Sequence, residues 1–264
     1  NVNIPIGNDS LEVQAGINGN MMLNLDKQYA LSGKMFLDPR INVQWRFSSI
    51  SLGCKRLVIR LGGGMGRLLL MPTLSQLHPN NIYMDFTQLN YWHANPAYKR
   101  INLRTYIVNP TNYGLKPARN FKQEVRLSLE YGKNMLSVTY FHERMSSGFR
   151  HIPTYSPYEY KVYDSSKIDG STLTGPPALE SMSYAMRTIL RGYSYTGNGS
   201  RTQKKGVEFQ LSTERFKALN TRFTVNGAWL YTIYENSQPI AKSVFAVVNG
   251  IALSDKYVGI YETD

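Results

Sequence analysis

The chain has a single cysteine, Cys54, in 264 residues. That excludes an internal disulfide framework and leaves no cysteine pair for a metal site. No run of about 18 apolar residues occurs, so no transmembrane helix is encoded. Residues 1–7 (Asn-Val-Asn-Ile-Pro-Ile-Gly) lack a charged start followed by an apolar core and do not read as a signal peptide. A chain with neither feature is cytoplasmic or has been cut from something longer. Acidic residues are scarce, 18 against 30 Lys and Arg, and the formal net charge of +12 favours acidic partners. Nucleic acid, an anionic membrane and an anionic polysaccharide all qualify.

Catalytic constellations are also missing. His78, His93, His142 and His151 lie in or beside expected loops without the spacing of a zinc motif. No Gly-x-Ser-x-Gly elbow presents a nucleophile. The glycines of 62–66 lack the Lys-Ser/Thr and the helix that a phosphate cradle requires. The expectation is a protein that is not an enzyme and holds no metal or cofactor. Small residues on a curved strand, or a flexible exit from one, account for the glycines.

What is present is period-two patterning. In 124–131, Val125, Leu127, Leu129 and Tyr131 alternate with Glu124, Arg126, Ser128 and Glu130. After the turn Gly132-Lys133-Asn134, Leu136, Val138 and Tyr140 continue one apolar face. This hairpin predicts two antiparallel strands. Five further strands are expected: 11–21, 40–47, 56–66, 206–212 and 219–229. Between them the connections alternate long and short, with 67–120 and 146–201 read as long irregular regions.

An apolar face opposite a charged one admits two geometries. A soluble antiparallel sheet turns the apolar face inward. A transmembrane barrel turns it to lipid and the charged face to a wet lumen, with short turns on one side and long loops on the other. The alternation of connection lengths favours the barrel. The 19 tyrosines suit a membrane interface or a sugar-binding surface. A soluble carbohydrate-binding β-sandwich and a basic nucleic-acid-binding β protein remain the alternatives.

Three motifs carry a family resemblance. Leu61-Gly62-Gly63-Gly64-Met65-Gly66-Arg67 runs into Met71-Pro72-Thr73-Leu74 and Leu77-His78-Pro79. Asn112-Tyr113-Gly114-Leu115-Lys116-Pro117 precedes the Glu124 strand, with Ala118 where the pattern has Glu. Lys204-Lys205-Gly206-Val207-Glu208 opens a strand. In this order they resemble TonB-dependent outer-membrane receptors, most closely the Bacteroidetes type.

The resemblance implies an all-β fold: a partial antiparallel transmembrane β-barrel, about seven strands of a 22-stranded one, with long external loops. It implies that 1–264 is a barrel segment without its plug domain and C-terminal strands, located in the outer membrane of a Gram-negative bacterium. Its function would be TonB-driven uptake of a large solute, a glycan, peptide or metal chelate. Its partners would be the TonB complex through the plug, a surface lipoprotein, outer-membrane lipid and lipopolysaccharide, and the solute, with no nucleic acid. On this reading Glu124, Arg126, Glu130, Glu208, Gln210, Arg222 and Asn226 face the lumen. Tyr83, Phe86, Tyr91, Trp92 and His93 form an external ligand or partner contact.

Overall fold

Strands dominate the computed structural model, which describes residues 1–236 and 238–262. In chain order they are β1 (Val2–Ile6), β2 (Asp9–Met21), β3 (Met35–Arg46), β4 (Ile50–Leu52) and β5 (Lys55–Leu70). After the short helix α1 (Leu74–Leu77) come β6 (Ile82–Tyr91), β7 (Arg100–Val108), β8 (Ala118–Tyr131) and β9 (Asn134–Tyr163). Then follow β10 (Tyr184–Ser212), β11 (Thr224–Asn236), β12 (Ile240–Ser243), β13 (Val247–Val248), β14 (Ile251–Ala252) and β15 (Val258–Tyr261).

One antiparallel sheet organises them, in the order β1-β2-β3-β5-β8-β9-β10-β11, with β4 pairing β5 at its side. Each neighbour in this order pairs antiparallel with the next, with β4 and the separate hairpin β6–β7 inserted in the chain between sheet neighbours. The sheet is open: among the described residues β1 and β11 each pair on one side only.

Local chemistry sets the tight turns. Gly7, Gly53 and Gly132, at φ of 60°, 61° and 61°, are the first turn residues between the closing pairs Ile6↔Asp9, Leu52↔Lys55 and Tyr131↔Asn134. Glycine followed by a residue of negative φ is the II′ geometry, whose twist matches that of the strands it joins. All three turns lie at the same end of the sheet. The opposite end carries the extended connections 22–34, 71–117 and 164–183.

The long connections are more ordered than the sequence predicts. Strand β5 runs through the glycines to Leu70, so 62–66 is strand interior and no exit into a loop. Residues 82–108 form the hairpin β6–β7. Residues 146–201 hold the upper parts of β9 and β10, which pair almost without interruption from Tyr163↔Tyr184 to Met135↔Ser212. Strands of 30 and 29 residues reach roughly 100 Å. Val2–Ile6, unexpected from sequence, makes an eighth consecutive strand.

Cross-strand register aligns the apolar residues in continuous rows. One row reads Ile4, Leu11, Trp45, Leu61, Leu127, Val138, Phe209 and Gly227. The next reads Val2, Val13, Val43, Gly63, Val125, Tyr140, Val207 and Trp229. Among the described residues no element covers these rows: Val125 is 54% exposed and Trp229 64%. The accessible surface, 17843 Å², exceeds the roughly 12,000 Å² of a compact monomer of this mass.

The buried residues sit beyond the apolar rows, toward the long connections. One cluster joins Tyr29, Leu31, Leu77 and Leu115. The other joins Phe86, Tyr158, Tyr160 and Ile189. In the first, the Tyr29 hydroxyl donates to the Leu77 carbonyl at 2.7 Å, and the Ala30 amide to the Tyr113 carbonyl at 2.7 Å. The segments around Leu77 and Leu115, two of the three motif regions, are thereby brought together. No helix among the described residues is long and apolar enough to cross a membrane.

Candidate functional site: a polar sheet face and an outer hairpin

Because side chains alternate, the face opposite the apolar rows collects the polar residues. Its rows include Glu12, Gln44, Gly62, Arg126, Thr139 and Glu208, and beside them Arg46, Arg60, Ser128, Ser137, Gln210 and Asn226. Six of the seven residues expected on a lumen-facing surface therefore share one face: Glu124, Arg126, Glu130, Glu208, Gln210 and Asn226. Arg222 does not join them. It lies in the connection between β10 and β11, outside both strands.

Six of the charges on this face are ion-paired. The Arg60 guanidinium holds the Glu130 carboxylate with two prongs, the second at 3.1 Å. Lys122 lies 3.4 Å from Glu124 and 3.7 Å from Glu143, and Arg126 lies 3.8 Å from Glu124. The Arg126 Nε also donates to the Thr139 hydroxyl at 3.2 Å. Two recesses open here. One of about 260 Å³ is lined by Glu12, Gln14, Gln44, Glu124 and Arg126. Another of about 670 Å³ is lined by Arg60, Arg126, Ser137, Glu208, Gln210 and Asn226.

Glycines alternate with large side chains on this face. A Cβ at Gly66 would stand 3.0 Å from the Arg40 Cβ, and one at Gly206 3.2 Å from the Phe141 ring. Small residues beside large ones relieve crowding where a sheet curves inward.

The aromatic run expected to form a loop is instead on and beside the hairpin β6–β7, and its residues separate. Phe86 is 4% exposed, within a ring cluster whose centroids lie 5.1 Å away for Tyr160, 5.5 Å for Tyr158 and 5.8 Å for Tyr106. It docks the hairpin onto β9, and its burial removes it as a direct ligand contact. The Tyr106 hydroxyl donates to the Glu159 carbonyl across the same seam. Tyr83 and Trp92 are exposed, with the Lys99 ammonium 5.0 Å from the Trp92 ring. Tyr91 and His93 stack at 6.3 Å, and the His93 Nε2 lies 3.3 Å from the Gly170 carbonyl. Tyr83 and the Tyr91-Trp92-His93 group thus stay at the surface.

Sequence reasoning missed the residues that hold this outer region. Asn198 donates to the carbonyls of Lys116 (2.8 Å) and Ser147 (2.9 Å), while its Oδ1 accepts from the Lys116 amide at 2.8 Å. Asn112 donates to the Thr196 carbonyl at 2.9 Å. Together they tie the 112–118 loop to β9 and β10. At the tip, hydrogen bonds from the Ser166 hydroxyl and amide hold the Asp164 carboxyl below the usual aspartate range. Ser171 does the same for Asp169. Farther along, Tyr155 accepts from the Ser243 amide at 3.1 Å, and Arg187 pairs with Asp255 at 2.7 Å, which fold the segment after β11 back onto this ribbon.

No cluster of His, Cys, Asp or Glu among the described residues could hold a metal ion, and Cys54 is an exposed turn residue. No family model, no curated protein and no solved structure matches this chain.

Proposed function

We propose that the sheet is an arc of an outer-membrane β-barrel, part of a TonB-dependent import receptor for a large solute. The apolar rows meet lipid and the polar face lines an aqueous lumen. The single observation that carries this reading is the inverted partition: apolar rows eight strands wide stand exposed, while polar and charged residues of both signs gather on the opposite face. A soluble sandwich would bury those rows against a second sheet, so the inversion also weighs against the carbohydrate-binding sandwich and nucleic-acid alternatives. The Gly7, Gly53 and Gly132 turns at one end of the sheet and the long connections 22–34, 71–117 and 164–183 at the other form the arrangement expected of such barrels.

On this reading the barrel scaffolds uptake that is powered elsewhere. The lower ~10 residues of β2, β3, β5, β8, β9, β10 and β11 cross the bilayer, and the upper ribbon of β9 and β10, with its docked hairpin, stands outside. Solute is captured by the exposed outer surface around Tyr83, Tyr91, Trp92 and His93. It then passes Glu124, Arg126, Glu208, Gln210 and Asn226. A plug engages TonB, a surface lipoprotein joins the outer loops, and lipopolysaccharide surrounds the barrel. The edges of β1 and β11 need further strands to close, since an unpaired edge is not tolerated in lipid.

Size-exclusion chromatography with circular dichroism, in plain buffer and in detergent, tests the proposal. A β-rich species obtained only in detergent, or aggregation in both, is expected. A monodisperse, cooperatively melting monomer in buffer would overturn it.

A further inference from the structure

Immediately beyond the apolar row Gly63, Val125, Tyr140, Val207 and Trp229, the same face changes character. The next row reads Met65, Gln123, His142, Lys205 and Tyr231, and the one after it Arg67, Phe121, Arg144, Gln203 and Ile233. Arg119 follows, opposite Leu69. Arg67, Arg119, Arg144 and Lys205 are exposed. Four strands and three rows span roughly 15 Å each way, so four full cations share one small patch beside His142, and Glu235, the acidic residue at its β11 edge, is taken up by Arg201.

Their surroundings differ from those of three cations on the opposite face. Arg60, Lys122 and Arg126 each lie within 4.0 Å of a carboxylate. Among the described residues none of Arg67, Arg119, Arg144 and Lys205 forms an ion pair. Lys205 has only the Tyr231 ring, 5.1 Å from its ammonium. The four cations of the patch thus stand without ion-pair partners, and the neighbouring Arg201 on the same face is paired with Glu235 at 3.4 Å. The patch begins where the apolar rows end, on the side of the long connections.

We infer that this patch binds the phosphate groups of an anionic membrane lipid, whose acyl chains lie along the Val125, Tyr140 and Val207 row below. The inference rests on the membrane reading above and goes beyond it. Arginine forks suit phosphate oxygens, long basic stems lie along the apolar surface while their heads reach the headgroup level, and each basic group near an anionic surface adds to the attraction. Tyr231, an amphipathic ring at the same level, fits the interface.

The test uses the full-length protein purified in detergent, with lipid binding read by native mass spectrometry. The probes are a bisphosphorylated multi-acylated glycolipid, the same glycolipid without phosphate, and inorganic phosphate. The phosphorylated lipid should bind at least about tenfold more tightly than the dephosphorylated one. Joint replacement Arg67→Gln, Arg119→Gln, Arg144→Gln and Lys205→Gln should abolish that difference, while Arg126→Gln, on the opposite face, should leave it intact. Equal binding of the two glycolipids overturns the inference, and this comparison needs no variant to fold. So does inorganic phosphate competing at the lipid's own concentration, which would mark a site for free phosphate. A protein monodisperse without detergent would fail the membrane reading itself, an outcome distinct from equal lipid binding in a detergent-dependent protein.

Discussion

Arg60 and Glu130 are not directly opposed in the sheet: Arg60 faces Ser128, and Glu130 faces Val58. Their ion pair therefore crosses β5 and β8 diagonally on the polar face and fixes one strand against the other. Both side chains remain partly exposed, at 24% and 33%, so solvent screens the pair. A double-mutant cycle of Arg60→Ala and Glu130→Ala, followed by urea unfolding of the detergent-folded protein, should give a coupling of about 1 kcal/mol. Additive single effects would mean the pair does not couple the strands.

The two faces should respond oppositely to a new charge. Leu127→Arg puts a guanidinium on the apolar rows and should cost about 2–4 kcal/mol in a bilayer, against little for Ser128→Arg on the neighbouring polar face. Refolding into lipid vesicles, read by gel mobility with and without heating, checks this. If Leu127→Arg folds as well as Ser128→Arg, the apolar rows do not face lipid.

Burial separates Phe86 from Trp92. Phe86→Ala should loosen the docking of β6–β7 by about 3 kcal/mol, as for a core aromatic, and raise hydrogen exchange over 82–108. Trp92→Ala should leave exchange unchanged. On the receptor reading proposed above, combining it with Tyr91→Ala should lower solute uptake and affinity, and unchanged uptake would remove that surface from the proposed capture site.

Acid should act on the tip of the ribbon. The carboxyls of Asp164 and Asp169 titrate below the usual aspartate range because serine donors favour their charged forms. Their folded-state pKa is thus depressed, so their contribution is fully present above about pH 4 and fades as pH falls through the lower folded value. Limited proteolysis of 164–172 should be the same at neutral and mildly acidic pH and accelerate only in strong acid. Asp164→Asn with Asp169→Asn should abolish that dependence.

Period-two alternation and glycine-first turns are local properties, so the chain alone determined the strand hairpin 124–141, its apolar and polar faces, and the parity of long and short connections. Each requires only that neighbouring residues point to opposite sides. Local pattern failed where tertiary neighbours set the rules. Residues 146–201 contain Pro153 and Pro157, which argue against a strand, yet both lie in β9 above Met145, where β8 no longer pairs. There β9 has only β10 beside it, and a free edge tolerates a missing N–H. Phe86 carried no mark of burial, because its burial depends on Tyr158 and Tyr160 arriving from 72 and 74 residues away. The diagonal Arg60–Glu130 pair and the gathering of Arg67, Arg119, Arg144 and Lys205 likewise depend on register between strands far apart in the chain. Alternation dictates which face a side chain takes; only strand pairing decides which other side chains share its row.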